Sequence, residues 1–433
     1  MQVFTMFIIY IYKLRYIHTC TVYKGCFVLL SCSIVVLGWK ADKLGTIYKS
    51  MEDHEYEQDE SNPPLLATYK HLLDGEHRRL PLGVVAGDEE DDQCDLPVID
   101  LAPLLLDLES DQQTRNNGGS SSAACRAAMV RAASEWGFFQ VTNHGVPQPL
   151  LDELHGQQLR AFRRPFHRKL APGDGDDEDQ LLLSPEAYRW GNPTATCLHQ
   201  LSWSEAYHVP ITTPSPETKT TTATRRVIHE VSAAMSKLAR RILSVLAAEH
   251  GPPPETETTT CFLRLNRYPQ APGSGGGHGH GVLGLCGHTD SDFLTILRQD
   301  DHVGGLQLLL DDKDGGRRWR TVRPNPGALT VNVGDLLQAW TNDVYASVEH
   351  RVVARPDRER FSVAFFLCPS YDTLIRPPLP GKTTTSQVYR NFTFGEYRSQ
   401  VREDVRLTGR KVGLPRFRRH VSPSPASLTH QLS

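Results

Sequence analysis

From position 227 onward the residues Val227, Val231, Met235, Leu238, Ile242 and Leu246 step by three or four, which predicts one apolar stripe on a long helix over 223–250. Gly251-Pro-Pro-Pro254 stops that helix. Beyond it the pattern shortens to β-rich runs: Cys261 to Leu265, Leu294 to Arg298, Leu306 to Leu310, Trp319 to Val322, Ala328 to Val333, Val348 to Ala354 and Phe361 to Leu367. Gly, Pro and Asp turns separate them, the mark of a sandwich or barrel of the jelly-roll type. Upstream, Leu96 to Leu101 reads as a short strand and Cys125 to Glu135 as an Ala-rich helix ending at Gly137. Phe138 to Val141 follows as a strand closing at Asn143-His-Gly145, and Leu150 to Phe166 returns to helical spacing. The fold class expected is α+β, with a helical front (95–210), a linker (211–222) rich in Thr, Pro and Ser, the long helix, a β-rich domain (258–371) and a C-terminal tail (372–433).

The first fifty residues form an extension of different character. Two apolar runs, Val3 to Tyr12 and Cys26 to Gly38, are separated by Lys13, Arg15 and Lys24. Neither reaches the ~20 apolar residues that span a bilayer, though the second could pass for the apolar region of a signal or short anchor. The competing reading starts the protein at Met51, where an acidic, soluble sequence opens. A cytoplasmic protein with no stable membrane partner is expected, and the apolar extension leaves a membrane or signal reading open.

Composition narrows the function. The 433 residues carry 47 Lys+Arg against 50 Asp+Glu, and no basic block dominates, so no electrostatic footprint for a nucleic-acid backbone is present and a small-molecule partner is expected. Nine cysteines, an odd number without a C-x-x-C pair, read as free thiols of a reducing compartment.

Chemistry concentrates in the β-rich part. His288-Thr-Asp290 precedes the apolar run Phe293 to Leu297, and period-two geometry would put both side chains on one face. An imidazole and a carboxylate converging there supply two ligands of a 2-His-1-carboxylate triad, which holds non-haem Fe(II) with open positions. His350, heading a strand-like segment, is the candidate third ligand. Ten residues on, Arg360 and Ser362 share a face at the polar end of an apolar strand and require a partner, for which a bidentate carboxylate is suited. The histidines of Gly275-Gly-Gly-His278-Gly-His280-Gly281 are read instead as part of an inserted loop.

These residues resemble the plant 2-oxoglutarate- and Fe(II)-dependent dioxygenases, which carry His-x-Asp, a distant His and Arg-x-Ser in this order. Asn266-Arg-Tyr268-Pro269, Leu96-Pro-Val-Ile-Asp100 and Trp136-Gly-Phe-Phe-Gln-Val-Thr-Asn-His-Gly145 extend the likeness to about residues 95–375. The resemblance implies a double-stranded β-helix (jelly-roll) core with a helical N-terminal region, Fe(II) held by His288, Asp290 and His350, and 2-oxoglutarate held at its far carboxylate by Arg360, Ser362 and Tyr268. It makes His144 structural, and it implies O2 as cosubstrate with ascorbate in support. Within the family, Val331-Asn-Val-Gly-Asp-Leu336, Gln338 to Tyr345 and Cys368-Pro-Ser-Tyr-Asp372 are similar to gibberellin 2-oxidases. Tyr188 to Thr196 and Leu201 to His208 are similar to the subgroup acting on C20 gibberellins, and Tyr188 and Trp190 are the candidate aromatics beside the pocket. The implied activity is 2-beta-hydroxylation that inactivates the hormone. The alternatives are a related dioxygenase of C19 gibberellins or another plant small molecule, and a non-catalytic hormone-binding protein on the same fold.

Overall fold

A computed structural model describes residues 60–75, 93–109, 115–171, 186–211, 222–256, 258–272, 282–312, 314–378 and 386–419. The N-terminal extension, the acidic loop 173–179, most of the 211–222 linker and the glycine-rich insertion 273–281 lie outside the described residues.

Helix α1 (Leu65–Gly75) precedes two short strands, β1 (Gln93–Cys94) and β2 (Val98–Asp100). Helices α2 (Ala102–Glu109) and α3 (Arg115–Glu135) lead to β3 (Phe138–Thr142), and α4 (Gln148–Phe162) and α5 (Phe166–Leu170) lead to β4 (Tyr188–Trp190) and β5 (Glu205–Pro210). The long helix α6 (Ala223–Leu246) starts where Thr222 accepts a hydrogen bond from the Arg225 N–H, an N-cap that satisfies one of the free donors of the first turn. Its buried face includes all six residues of the apolar stripe, and it packs on α3, α4 and the back of the larger sheet.

Eight strands then run β6 (Phe262–Tyr268), β7 (Val282–His288), β8 (Leu294–Gln299), β9 (Leu306–Asp311), β10 (Arg317–Val322), β11 (Leu329–Val333), β12 (His350–Ala354) and β13 (Arg360–Leu367), with the short helix α7 (Asp335–Trp340) between β11 and β12. The larger sheet has the order β2-β3-β11-β8-β13-β6-β5-β4 and the smaller β1-β10-β9-β12-β7. Apart from the β9–β10 pair, both in the smaller sheet, successive core strands alternate between the sheets, as in a jelly-roll: β6, β8, β11 and β13 belong to one, and β7, β9, β10 and β12 to the other. Strand β14 (Leu374–Ile375) pairs with β15 (Phe392–Thr393), after which α8 (Phe394–Thr408) closes the described chain with a 3-10 turn at Leu414–Phe417.

Two expectations change here. Residues 372–433 were expected as a tail, but 386–419 carry a helix with a complete capping box, Thr393 and Glu396 each satisfying the other's backbone N–H, and a left-handed Gly409 at its end. Phe394, Tyr397 and Phe417 are buried in the main core, so this segment is part of the folded body. His288 and Asp290 were expected on one strand. His288 instead ends β7, and Asp290 lies in the turn before β8. The Gly-rich run just before Val282 hid the existence of β7.

Candidate active site

Between the two sheets lies a cavity of about 410 Å³, lined by residues of both sheets and of α8. Period-two alternation sets its floor. On β6, Phe262, Arg264, Asn266 and Tyr268 face the cavity, and antiparallel pairing places Phe366, Ala364, Ser362 and Arg360 of β13 opposite them in that order. The floor therefore grades from two phenylalanines at one end to an arginine and a tyrosine at the other.

The smaller sheet brings the histidines together, because β12 pairs antiparallel with β7 in a register that sets His350 opposite His288. The Asp290 turn comes up beside them, so that one ligand atom from each of His288, Asp290 and His350 lies within 4.8 Å of the others. Among the described residues no other such group of three is found. Nδ1 of His288 stands 2.9 Å from the Cys286 carbonyl and Nδ1 of His350 stands 3.1 Å from that of Val348. A carbonyl only accepts, so each Nδ1 carries the proton and each Nε2 presents its lone pair toward Asp290. The distances from Nε2 to the Asp290 carboxylate are 3.7 Å and 3.8 Å. Phe138 meets the His350 ring edge-on at 5.3 Å and fixes its plane.

The protonation states suit a cation. Burial and the adjacent His350 push His288 down to about 3, so it is a neutral ligand at working pH. Burial by itself would raise Asp290, but His350, His288 and hydrogen bonds from Thr295 and Asn332 outweigh it and hold the carboxyl at about 2. Thr295 donates to its Oδ2 at 2.6 Å and Asn332 at 2.8 Å. The neutral His288, the ionised Asp290 and the Nε2 of His350 beside them are a donor set for a divalent transition metal with open positions. The loop carrying Asp290 is tied down by backbone bonds from Gly334, Asp335 and Leu336 to the carbonyls of Phe293, Asp290 and Asp292. A Cβ on Gly334 would stand 2.2 Å from Asp292 atoms, which explains a glycine there.

At the other end of the floor, the Arg360 guanidinium is buried. One nitrogen bonds Gln299 at 2.9 Å, while Nε and Nη1 have no hydrogen-bond partner among the described residues. Tyr268 lies against the guanidinium, 5.2 Å from its ring centroid, and Ser362 accepts a hydrogen bond from Asn266 at 3.3 Å. A buried cation with two idle donors needs an anion, and a planar carboxylate fits the fork. All six residues singled out in the sequence thus line one cavity.

Tyr188 and Trp190 do not. The Tyr188 hydroxyl is buried against Glu205, and Trp190 packs edge-on to Phe166, both away from the cavity. The alternation of β4 gave no means of telling the two faces apart. The residues missed from the sequence are Asn332, Thr295, Arg264 and Arg398. A lone Asn between Val331 and Val333 in a fully buried strand was the available signal for the first.

His208 of β5 stacks on Phe262 at 4.0 Å, which in turn stacks on Phe366 at 4.4 Å. Burial and the positive charges of Arg264, Arg398 and Arg189 push His208 from 6.5 down to about 4. The unfolded chain protonates this ring near its ordinary value, so the contribution to stability is whole above that value and is lost as pH falls through the window from 6.5 to about 4. His208→Phe, which keeps the stack, is expected to flatten the fall of the melting temperature across that window in metal-free protein. An unchanged slope would contradict this account.

Comparison with known proteins agrees with this geometry. The family model of the 2OG-Fe(II) oxygenase superfamily matches residues 259–369, and that of the N-terminal region of the non-haem dioxygenase in morphine synthesis matches residues 96–230. The chain is 55% identical to gibberellin 2-beta-dioxygenase 5 of Oryza sativa subsp. japonica over 85% of its own length and 99% of that protein's. It is 42% identical to gibberellin 2-beta-dioxygenase 8 of Arabidopsis thaliana, over 83% and 99%. The crystal structure of JOX2 in complex with 2OG, Fe and JA aligns with a TM-score of 0.52 at 30% identity, covering 71% of this chain and 85% of that one. With Fe(II) and 2-oxoglutarate as the groups its cavity is built to take, the chain belongs to the 2OG-Fe(II) oxygenase superfamily.

Proposed function

We propose that the protein hydroxylates gibberellins at C-2, with C20 gibberellins as the substrate class, and thereby inactivates the hormone. The observation that carries the reaction is the meeting, in one cavity, of the His288, Asp290 and His350 cluster with a buried Arg360 that lacks an anion. The gibberellin reading is supported by likeness along nearly the whole length of relatives named for that activity. The C20 subgroup is supported by the segments Tyr188 to Thr196 and Leu201 to His208.

In this reading Nε2 of His288, Nε2 of His350 and the Asp290 carboxylate hold Fe(II). When bound, Fe(II) with 2-oxoglutarate supplies an O2-dependent oxidation that yields succinate, CO2 and a hydroxylated substrate. The chain's own work is positioning. The Cys286 and Val348 carbonyls keep both imidazoles in the ligating tautomer, and Thr295 and Asn332 keep Asp290 ionised and aimed. Arg360, Ser362 and Tyr268 receive the far carboxylate of 2-oxoglutarate. Phe138, Leu297, Leu306 and Val352 present an apolar wall to the substrate.

The test is an assay of protein begun at Met51 with Fe(II), ascorbate and 2-oxoglutarate, offered a C20 and a C19 gibberellin separately and read by mass spectrometry. A gain of one oxygen on the C20 substrate with matching succinate is expected. Oxidation of the C19 compound alone would overturn the subgroup, and consumption of 2-oxoglutarate with neither gibberellin altered would overturn the substrate. Gibberellin binding with no turnover would instead favour the hormone-binding alternative. Arg360→Gln is expected to raise the KM for 2-oxoglutarate by about 10- to 100-fold, the loss of a charge-assisted bidentate contact. A KM within about twofold of wild type would remove Arg360 from the cosubstrate site.

A further inference from the structure

The cavity has a second cationic region, remote along the floor from Arg360. Arg264 faces the cavity from β6, four residues before Tyr268, a separation of roughly 13 Å along a strand. Its Nε donates to Asn266 at 2.8 Å, and among the described residues no hydrogen bond involves its two terminal nitrogens. Arg398 reaches the same cavity from α8 and makes no hydrogen bond or ion pair among the described residues. Lys411, the other cation on this wall, is already engaged by Asp335 at 2.7 Å and the Thr289 carbonyl at 2.8 Å. The acidic side chains lining the cavity, Asp290 and Asp292, are buried and hydrogen-bonded to Thr295. His208, which lines the same wall, is pushed down first by burial and then by the positive charges of Arg264, Arg398 and Arg189.

Around the two arginines the wall is apolar: the stacked Phe262 and Phe366 on the floor, and Val401 and Val405 on α8. Val405 remains 46% exposed. An aliphatic side chain left open beside an unpartnered guanidinium at a cavity wall is suited to a ligand with an apolar body and an anionic group.

We infer that Arg398, with Arg264 beside it, binds a carboxylate of the substrate and thereby sets which face of an apolar polycyclic acid is turned toward the His288, Asp290 and His350 cluster. The inference rests on the gibberellin reading above, since gibberellins are diterpenoid acids. It adds the residue that recognises the acid and gives helix α8 a direct part in specificity. Arg398 is the better residue to test, because Arg264 also holds Asn266 and through it Ser362.

The experiment compares kcat/KM for a C20 gibberellin and for its methyl ester, in wild type, Arg398→Gln and Arg398→Lys, with each variant's melting temperature measured alongside. Wild type is expected to favour the free acid by about 10- to 100-fold, the weight of a charge-assisted contact. Arg398→Gln is expected to lose most of that preference by losing the acid, through KM more than kcat, while its rate on the ester changes little. Arg398→Lys recovers part of the preference, which a merely structural role for the side chain would not produce. A glutamine variant that folds and keeps the wild-type ratio of acid to ester would overturn the inference and leave the gibberellin reading intact. Failure of wild type to oxidise either compound would overturn both.

Discussion

His350→Ala is expected to abolish Fe(II)-dependent succinate formation and to weaken metal binding by more than the 10- to 100-fold that loss of an outer-shell partner typically costs. The reason lies in strand register. His350 is the first residue of β12 and stands opposite His288, the last residue of β7, so the two imidazoles meet with ring centroids 4.3 Å apart and Asp290 bridges below them. Alanine leaves one imidazole and one carboxylate, too few to hold the ion and orient a bidentate cosubstrate. The fold should survive, because the His350 ring rests on the Val348 carbonyl two residues away, the edge of Phe138 and the other two members of the cluster, His288 and Asp290. Isothermal titration with Mn(II) or Fe(II) under anaerobic conditions reads binding apart from turnover. A variant with native metal affinity and wild-type succinate formation would sink the ligand assignment. Asn332→Ala removes a donor to Asp290 without removing a ligand, and belongs between the two extremes.

The chemistry was legible in the sequence because strands expose it at short period. Arg360 and Ser362 share a face by alternation, and their cross-strand partners Tyr268 and Asn266 share it by pairing. The three ligands could be picked out by residue type. What joined them was a turn and a register, and neither is written in local spacing. Asp290 reaches the site from a turn, where the one-strand geometry read from His288-Thr-Asp290 does not hold. Helix α8 was missed for a different reason. Its capping box and its Tyr397, Val401 and Val405 spacing were present in the text, but the segment follows the last core strand and was read as a tail. Tyr188 and Trp190 were misplaced because alternation puts both on one face of a three-residue strand, with Arg189 on the other, and nothing local says which face is the cavity.

The second large effect is structural and sits on the back of the same strand. Arg267 alternates with Asn266 and Tyr268, so it points away from the cavity and meets Glu205, its register partner on β5, at 2.8 Å. The other Glu205 oxygen takes Lys169 of α5 at 2.5 Å and the Tyr188 hydroxyl. Arg267 goes on to Glu359 at 2.9 Å and Asn62 at 2.8 Å. The side chains of Glu205 and Lys169 are fully buried and that of Arg267 is 2% exposed, so solvent screening does not dilute these contacts. One carboxylate therefore compensates two buried cations and joins α5, β4, β5 and β6. Glu205→Ala takes from Lys169 and Arg267 the buried carboxylate they share, although Arg267 keeps Glu359, and breaking a buried pair in this way costs about 3–5 kcal/mol. Urea unfolding should show that loss as a lower midpoint at unchanged slope. Glu205→Gln, which keeps shape and some hydrogen bonding but not charge, should recover only part of it. Because Arg267 is flanked by Asn266 and Tyr268, the alanine variant is also expected to bind 2-oxoglutarate more weakly, although Glu205 never touches the cavity. A variant within about 1 kcal/mol of wild type would show that the β5 to β6 pairing holds without the buried charges.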